Sequence, residues 1–186
     1  DQVERRQEEG LHGVSETRLA QVRTALAEGR PLLCVIVDTE EEFDWSKPLS
    51  RANRSVATIP AQAHAQAIFA EFGIVPTYVV DYPVAADPEA SGFLRACRDA
   101  GTCTIGAHCH PWVNPPEVEA VTPFNSYAGN LPADLEYRKL AALTRQITDA
   151  FGERPRVYKA GRYGLGPNTP GILHQLGYCV DASVVP

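Results

Sequence analysis

No methionine occurs in these 186 residues, an odd count for a domain of this size, which a modified methionine or a disordered segment left out of this stretch would explain. Long apolar runs are missing too. Nothing approaches the roughly 20 residues that span a bilayer, which argues against a membrane-spanning helix. There is no run of Lys and Arg, and the formal net charge is -6. A phosphate-tracking stripe is therefore absent and nucleic acid is not an expected partner. The first residues, DQVERRQEEG, are charged where a signal peptide carries its apolar region, although an earlier processed leader stays open. The five cysteines (Cys34, Cys97, Cys103, Cys109 and Cys179) have no CxxC spacing and are odd in number. That speaks against a secreted disulfide scaffold and for a reducing, cytoplasmic setting.

What is present is an ordinary globular composition, 44% hydrophobic and 22% charged, long enough for one domain with a real core and short for two. SETRLAQVRTALAEG (15–29) reads as a helix, with Ser15 as cap, Leu19, Val22 and Leu26 at helical spacing and a glycine stop. Residues 1–30 are expected to form an N-terminal extension and 31–186 the main domain. LLCVIV (32–37) is an apolar run of the kind buried on both faces of a parallel sheet, with Cys34 in the core. A helix near 59–73, a strand over 74–81, a helix ending over 93–101 and a strand over 103–107 follow. The stretch 111–132 is rich in proline and long for a connection, which marks a functional loop. The clearest helix is 133–152, with Leu135, Leu140, Leu143, Ile147 and Phe151 on one side. A strand over 156–160, a helix over 171–177 and a strand over 178–185 complete the pattern. Strands separated by helices imply a parallel sheet, because a parallel return needs a crossover.

Polar residues fall at the C-terminal ends of these strands: Asp38, Asp81, His108, Lys159 with Arg162, and Asp181. Barrels and doubly wound sheets keep their active sites there. In IGAHCHPW (105–112), an extended backbone would turn His108 and His110 to one side and Cys109 to the other. Two imidazoles on one face can share a metal ion, and a carboxylate from DTEEEFDW (38–45) would complete a 2-His-1-carboxylate set. The bland alternative is a solvated strand end beside a solvated acidic loop. A hydrolytic metal site also needs an unligated carboxylate to take a proton from water. Asp38 and Glu40, two apart, could divide those roles, with Glu41, Glu42 and Asp44 supernumerary. Cys109 as a nucleophile would need a thiolate and a nearby base, which its extended neighbours point away from.

Lys159 and Arg162, in YKAGRYG, are cations facing the acidic cluster, and either could hold Asp38 charged and oriented. Asp81, Trp112, Tyr127 and Tyr163 are the candidate pocket residues. Aromatic faces there would suit a sugar ring, or would pin the loop to the body. Gly161, Gly164 and Gly166 stand in the wrong order for a dinucleotide fingerprint. His64 and His174 read as surface or packing residues.

Taken in order, VIVDTEEEF, IGAHCHPW, YKAGRYG and LGYCVDASV resemble the polysaccharide deacetylase superfamily (NodB homology, carbohydrate esterase family 4), and within it the divergent WalW-type members, over residues 32–185. The resemblance implies an α/β fold, a distorted (β/α) barrel of the NodB-homology type present here in part. It also implies a divalent metal and hydrolysis of an amide, usually the N-acetyl group of an amino sugar. It gives Asp38 the base position and, because Thr39 stands where the ligand would be, moves the carboxylate ligand to Glu40. His108 matches the first histidine ligand. The second is usually four residues on, where Trp112 stands, so His110 would replace it. Lys159 takes the place of an arginine, with Arg162 reaching back in compensation, and Asp181 corresponds to an acidic residue of a later motif. The family's catalytic acid histidine would lie beyond Pro186.

The expectation is a metal-dependent amidohydrolase acting on a carbohydrate or another small amide. Zinc suits the ligands best, and cobalt, nickel or iron would also fit. The oligomeric state, including a homo-oligomer, stays open. The alternatives are an amidase of the same superfamily acting on a small non-sugar amide or cyclic ureide, and a non-catalytic carbohydrate-binding or structural domain.

Overall fold

A computed structural model describes residues 16–184 of the chain, which divides into two compact units, Asp1–Val35 and Ile36–Pro186. In the first unit, helix α1 (Glu16–Ala27) ends where Gly29 takes φ 66 and the amides of Gly29 and Arg30 close back on Leu26 and Ala25. Only glycine enters that left-handed conformation freely. The expected Ser15 cap and the charged first residues lie outside the described residues. Leu33 and Cys34 are exposed, which corrects the reading of 32–37 as one buried strand with Cys34 in its core.

The second unit is built on five strands: β1 (Ile36–Thr39), β2 (Thr77–Val80), β3 (Thr104–Cys109), β4 (Val157–Ala160) and β5 (Val180–Asp181). All neighbours are parallel and the spatial order is the chain order, β1-β2-β3-β4-β5. The first strand has four residues, each paired with one of β2, from Ile36↔Thr77 to Thr39↔Val80. The last has two residues where 178–185 was expected, and residue 185 lies outside the described residues. In a doubly wound sheet the strand order reverses at a switch point. Here it never reverses, which is how the wall of a (β/α) barrel runs, and no pairing closes β5 onto β1 among the described residues.

The helices between the strands are α2 (Ala63–Glu71), α3 (Tyr82–Ala86), α4 (Pro88–Asp99), α5 (Ala133–Phe151) and α6 (Thr169–Gln175). None of the described helices is long and apolar enough to cross a membrane. The Asp87 carboxylate caps α4 by accepting the amides of Glu89 and Ala90, at 3.0 and 2.9 Å, and Pro88 occupies a first-turn position where its missing N–H costs nothing. Helix α5 buries Leu135, Leu140, Leu143, Ile147 and Phe151 along one stripe, each fully buried aliphatic contributing about 1.5–3 kcal/mol. It ends at Gly152, φ 73.

Side chains alternate across a strand, and this sheet uses the alternation to separate its core from its chemistry. Tyr78, Val80, Ala107, Cys109, Tyr158 and Ala160 all join the hydrophobic cluster that includes α5. The intervening positions, Asp38, Val79, Gly106, His108 and Lys159, share the opposite face, through the register Asp38↔Val79, Val79↔Gly106 and His108↔Lys159. Gly106 is small because a Cβ there would come within 2.8 Å of the Val157 carbonyl and of a Val79 methyl.

Candidate metal centre

The polar face carries its functional groups to the C-terminal edge of the sheet. His108 and His110 lie on the same side of β3 and its extension, 2% and 1% exposed, with ring centroids 4.8 Å apart. Glu40, just after β1, sets Oε2 3.0 Å from His108 Nε2 and 3.3 Å from His110 Nε2. Cys109 points the other way into the core, and burial pushes its thiol up to about 12. That leaves it inert as a nucleophile.

The outer nitrogens of both rings are engaged. His108 Nδ1–H donates to the Lys159 carbonyl at 2.9 Å, and His110 Nδ1–H to the Glu41 carboxylate at 2.7 Å. Burial favours the neutral form of His110 and lowers its pKa, overcoming the opposing pull of Glu40, Asp81 and Asp38. With Nδ1 protonated, a neutral ring turns a bare Nε2 lone pair toward the Glu40 oxygen. Lone pairs facing each other at about 3 Å repel unless a positive centre lies between them. Two imidazole nitrogens and one carboxylate oxygen at these separations match ligands placed about 2.1 Å from one ion. Burial works against a charged Glu40, and it is held below the usual carboxyl range only where positive charge stands at the His108 and His110 rings, with Lys159 adding to it; between neutral rings a metal ion would supply that charge. Glu40, His108 and His110 therefore fit a divalent metal.

A second set, Glu41, Asp81 and His110, lies beneath and is wholly buried. Glu41 is not supernumerary. Its backbone N–H donates to Asp81 Oδ2 at 2.8 Å while its carboxylate holds His110. Burial raises Glu41 to about 7, with the nearby Glu40 charge adding to the effect. It also raises Asp81 well above the usual carboxylate range, with the Glu41 hydrogen bond and charge adding to the effect, so the Glu41–Asp81 pair does not carry two charges together. Asp81 also caps α3, accepting the Val84 amide at 2.9 Å. The expectation that Asp81 lines the pocket is corrected: it is fully buried and its acceptors are spent on backbone N–H groups. Trp112 is corrected likewise. At 1% exposure it stacks on His110, 4.3 Å and 21° between rings, and backs the metal site from behind. Glu42 and Asp44 tie down their own loop through Ser55, Thr58 and Ser46.

Asp38 opens into a pocket of about 320 Å³ shared with Glu40, His108 and His110. Lys159 Nζ binds both of its oxygens, at 2.7 and 2.6 Å. Arg162 does not reach back to Asp38, which corrects that expectation. It donates to the Ser126 hydroxyl and lies over the Tyr127 and Trp45 rings at 4.4 and 5.6 Å. Trp45, Tyr127 and Tyr163 form the aromatic edge of the pocket. Asp181 is outside it: the side chain bonds Ser183, whose hydroxyl in turn accepts the Ala160 amide at 2.8 Å.

Two further features hold the site. A Cβ on Gly161 would fall 2.3 Å from the Cys109 carbonyl and 2.4 Å from His110 Cδ2, so the turn after β4 packs directly on the histidine strand. The loop 111–132 is bolted to α5 by Lys139, whose ammonium donates to the carbonyls of Pro111, Asn114 and Pro116 at 2.9, 2.6 and 2.8 Å and pairs with Glu119 at 3.1 Å. The sequence hinted at Glu41 and Asp81, through an unbroken acidic run and an Asp two residues before a proline at a helix start. Nothing in it marked Lys139.

The chain matches no family model and no curated protein sequence. It does match solved structures. A CE4 family pseudoenzyme from Bacillus anthracis superposes with TM-score 0.53 at 13% identity, covering 82% of this chain and 44% of the other. A chitin deacetylase from the fungal pathogen Colletotrichum lindemuthianum gives 0.52 at 15%, covering 80% and 53%. A family 4 carbohydrate esterase from Streptomyces lividans gives 0.50 at 13%, covering 80% and 60%. The chain thus has the mixed α/β fold of carbohydrate esterase family 4 structures, active enzymes and pseudoenzymes alike, and spans about half of their length.

Proposed function

We propose that the chain carries the metal-binding part of a hydrolase that cleaves a C–N amide bond, with an N-acylated amino sugar as the substrate class and a WalW-type relationship within the deacetylase superfamily. The observation that carries this is the convergence of Glu40, His108 and His110 on one point beside an Asp38 that ligates nothing. Glu40, His108 and His110 would hold the ion, zinc before cobalt, nickel or iron, and when bound it would polarise a carbonyl and acidify water. Asp38 takes the proton from the attacking water. Lys159, on both Asp38 oxygens, orients that carboxylate at the pocket. Trp112 and the Glu41–Asp81 pair fix the His110 ring, so little reorganisation is needed at reaction. A reducing, cytoplasmic setting agrees with all five cysteines being free.

The test is acetate release from N-acetylated amino-sugar oligomers by zinc-loaded protein. Asp38→Asn is expected to keep the metal and lose about 10²–10⁴ in rate, and His108→Ala to lose both. Release from small amides or cyclic ureides alone would move the substrate class to the non-sugar amidase. Absence of both metal and turnover would leave a carbohydrate-binding domain.

A further inference from the structure

Charge in the pocket is matched group by group, with one exception. Asp38 is paired with Lys159, and Glu40 faces the two imidazoles. Arg162 has no carboxylate within ion-pair distance among the described residues. Its one hydrogen bond goes to the neutral Ser126 hydroxyl, itself held by donating to the Pro123 carbonyl at 2.6 Å. The guanidinium carbon lies over the faces of the Tyr127 and Trp45 rings, at 4.4 and 5.6 Å. Aromatic contacts of that kind hold the cation in place without neutralising it, and a guanidinium has five N–H donors of which the Ser126 bond uses one, so donors remain for an anion.

The backbone is set up to present this side chain. Arg162 and Tyr163 both sit at φ 56, a left-handed conformation that non-glycine residues seldom take and that concentrates at functional sites. Gly161 and Gly164 flank them, and a Cβ on Gly164 would be pressed to 3.0 Å against Tyr127, so the turn and the aromatic edge are one packed unit. Lys159 cannot do the same work, because Asp38 already takes its ammonium.

We propose that Arg162 is the anion-recognition residue of this pocket and seats a carboxylate that the substrate carries near its acylamino group. The preferred substrate is then an N-acylated amino sugar bearing a carboxylate rather than a neutral polymer. This rests on the amide-hydrolase reading of the same pocket.

The test titrates zinc-loaded protein calorimetrically with N-acetylmuramic acid and with N-acetylglucosamine, which differ by one carboxylate-bearing ether, and follows acetate release from both. Arg162→Asn removes the cation with a residue that tolerates the left-handed backbone. Ser126→Ala keeps the cation and removes its anchor. The expected result is at least a tenfold preference for the carboxylated sugar, a ratio near one in Arg162→Asn and an intermediate ratio in Ser126→Ala. Equal affinities in the unaltered protein would overturn the assignment. So would a preference that survives Arg162→Asn, because the carboxylate would then be held elsewhere. A carboxylate preference lost in Arg162→Asn without any acetate release would sink the hydrolase reading and leave Arg162 as assigned, whereas acetate release with no carboxylate preference would do the reverse.

Discussion

Removing the Glu41 carboxylate tests whether the buried layer beneath the metal ligands does anything for the metal. Glu41 touches no candidate open position. Its one contact with the site is the 2.7 Å bond to His110 Nδ1, which fixes the ring so that Nε2 faces Glu40. A carboxylate behind a ligating histidine also makes that ligand more basic, and loss of such a partner typically lowers metal affinity about 10–100-fold. At about 1.4 kcal/mol per tenfold, this is close to the 1.5–3 kcal/mol expected of a hydrogen bond to a charged group. Glu41→Ala should therefore weaken zinc binding toward the upper end of that range. Glu41→Gln, which keeps an acceptor but no charge, should fall at the lower end. Competition against a chelating zinc indicator at neutral pH gives the number, and circular dichroism shows that the variants are folded. Glu42→Ala is the control, because its carboxylate bonds Ser55 and Thr58 and no histidine. A folded Glu41→Ala that binds zinc as tightly as the unaltered protein would refute the role given to this layer.

Other outcomes follow from the packing. Gly161→Ala must displace either the Cys109 backbone or the His110 ring, since its methyl would lie 2.3–2.4 Å from both; zinc affinity should drop at least tenfold, and an unchanged affinity would show that the turn yields instead. Lys139→Met strips three carbonyls and the nearly buried Glu119 of their shared cation. Breaking a buried pair from one side costs about 3–5 kcal/mol, measurable by urea unfolding, and a cost under about 1 kcal/mol would mean that Lys139 does not anchor the loop. Because burial raises the Cys109 and Cys103 thiols to about 12, their thiolates are scarce below strongly alkaline pH. At pH 8, iodoacetamide should label the exposed Cys34 and Cys179 in the folded protein and spare Cys103 and Cys109; rapid labelling of Cys109 would contradict its placement.

Features governed by short-range periodicity are legible in the chain itself. The alternation in His-Cys-His is enough to put both imidazoles on one face and the thiol on the other, and the stripe Leu135, Leu140, Leu143, Ile147 and Phe151 marks the buried side of α5. What failed depended on neighbours distant in sequence. The apolar run 32–37 resembles a central strand, yet of its residues only Ile36 and Val37 pair with β2. Lys159 and Arg162 both look able to hold Asp38. Only the register His108↔Lys159 puts one of them on the polar face, while two left-handed residues turn the other toward Tyr127. Asp81 ends a strand and Trp112 follows the histidine pair in sequence, yet both are buried, one held by the Val84 and Glu41 amides and the other stacked on the His110 ring. Lys139 is buried because three carbonyls of an irregular loop converge on it, and helical periodicity carries no trace of that.

Base, pocket and buried layer all matter only if a cation sits where the three donors meet. Crystals grown with zinc and measured on either side of its absorption edge should show one strong anomalous peak within about 2.3 Å of Glu40 Oε2, His108 Nε2 and His110 Nε2, with Asp38 outside bonding range. A peak elsewhere, or none at the three donors in zinc-saturated crystals, would contradict it.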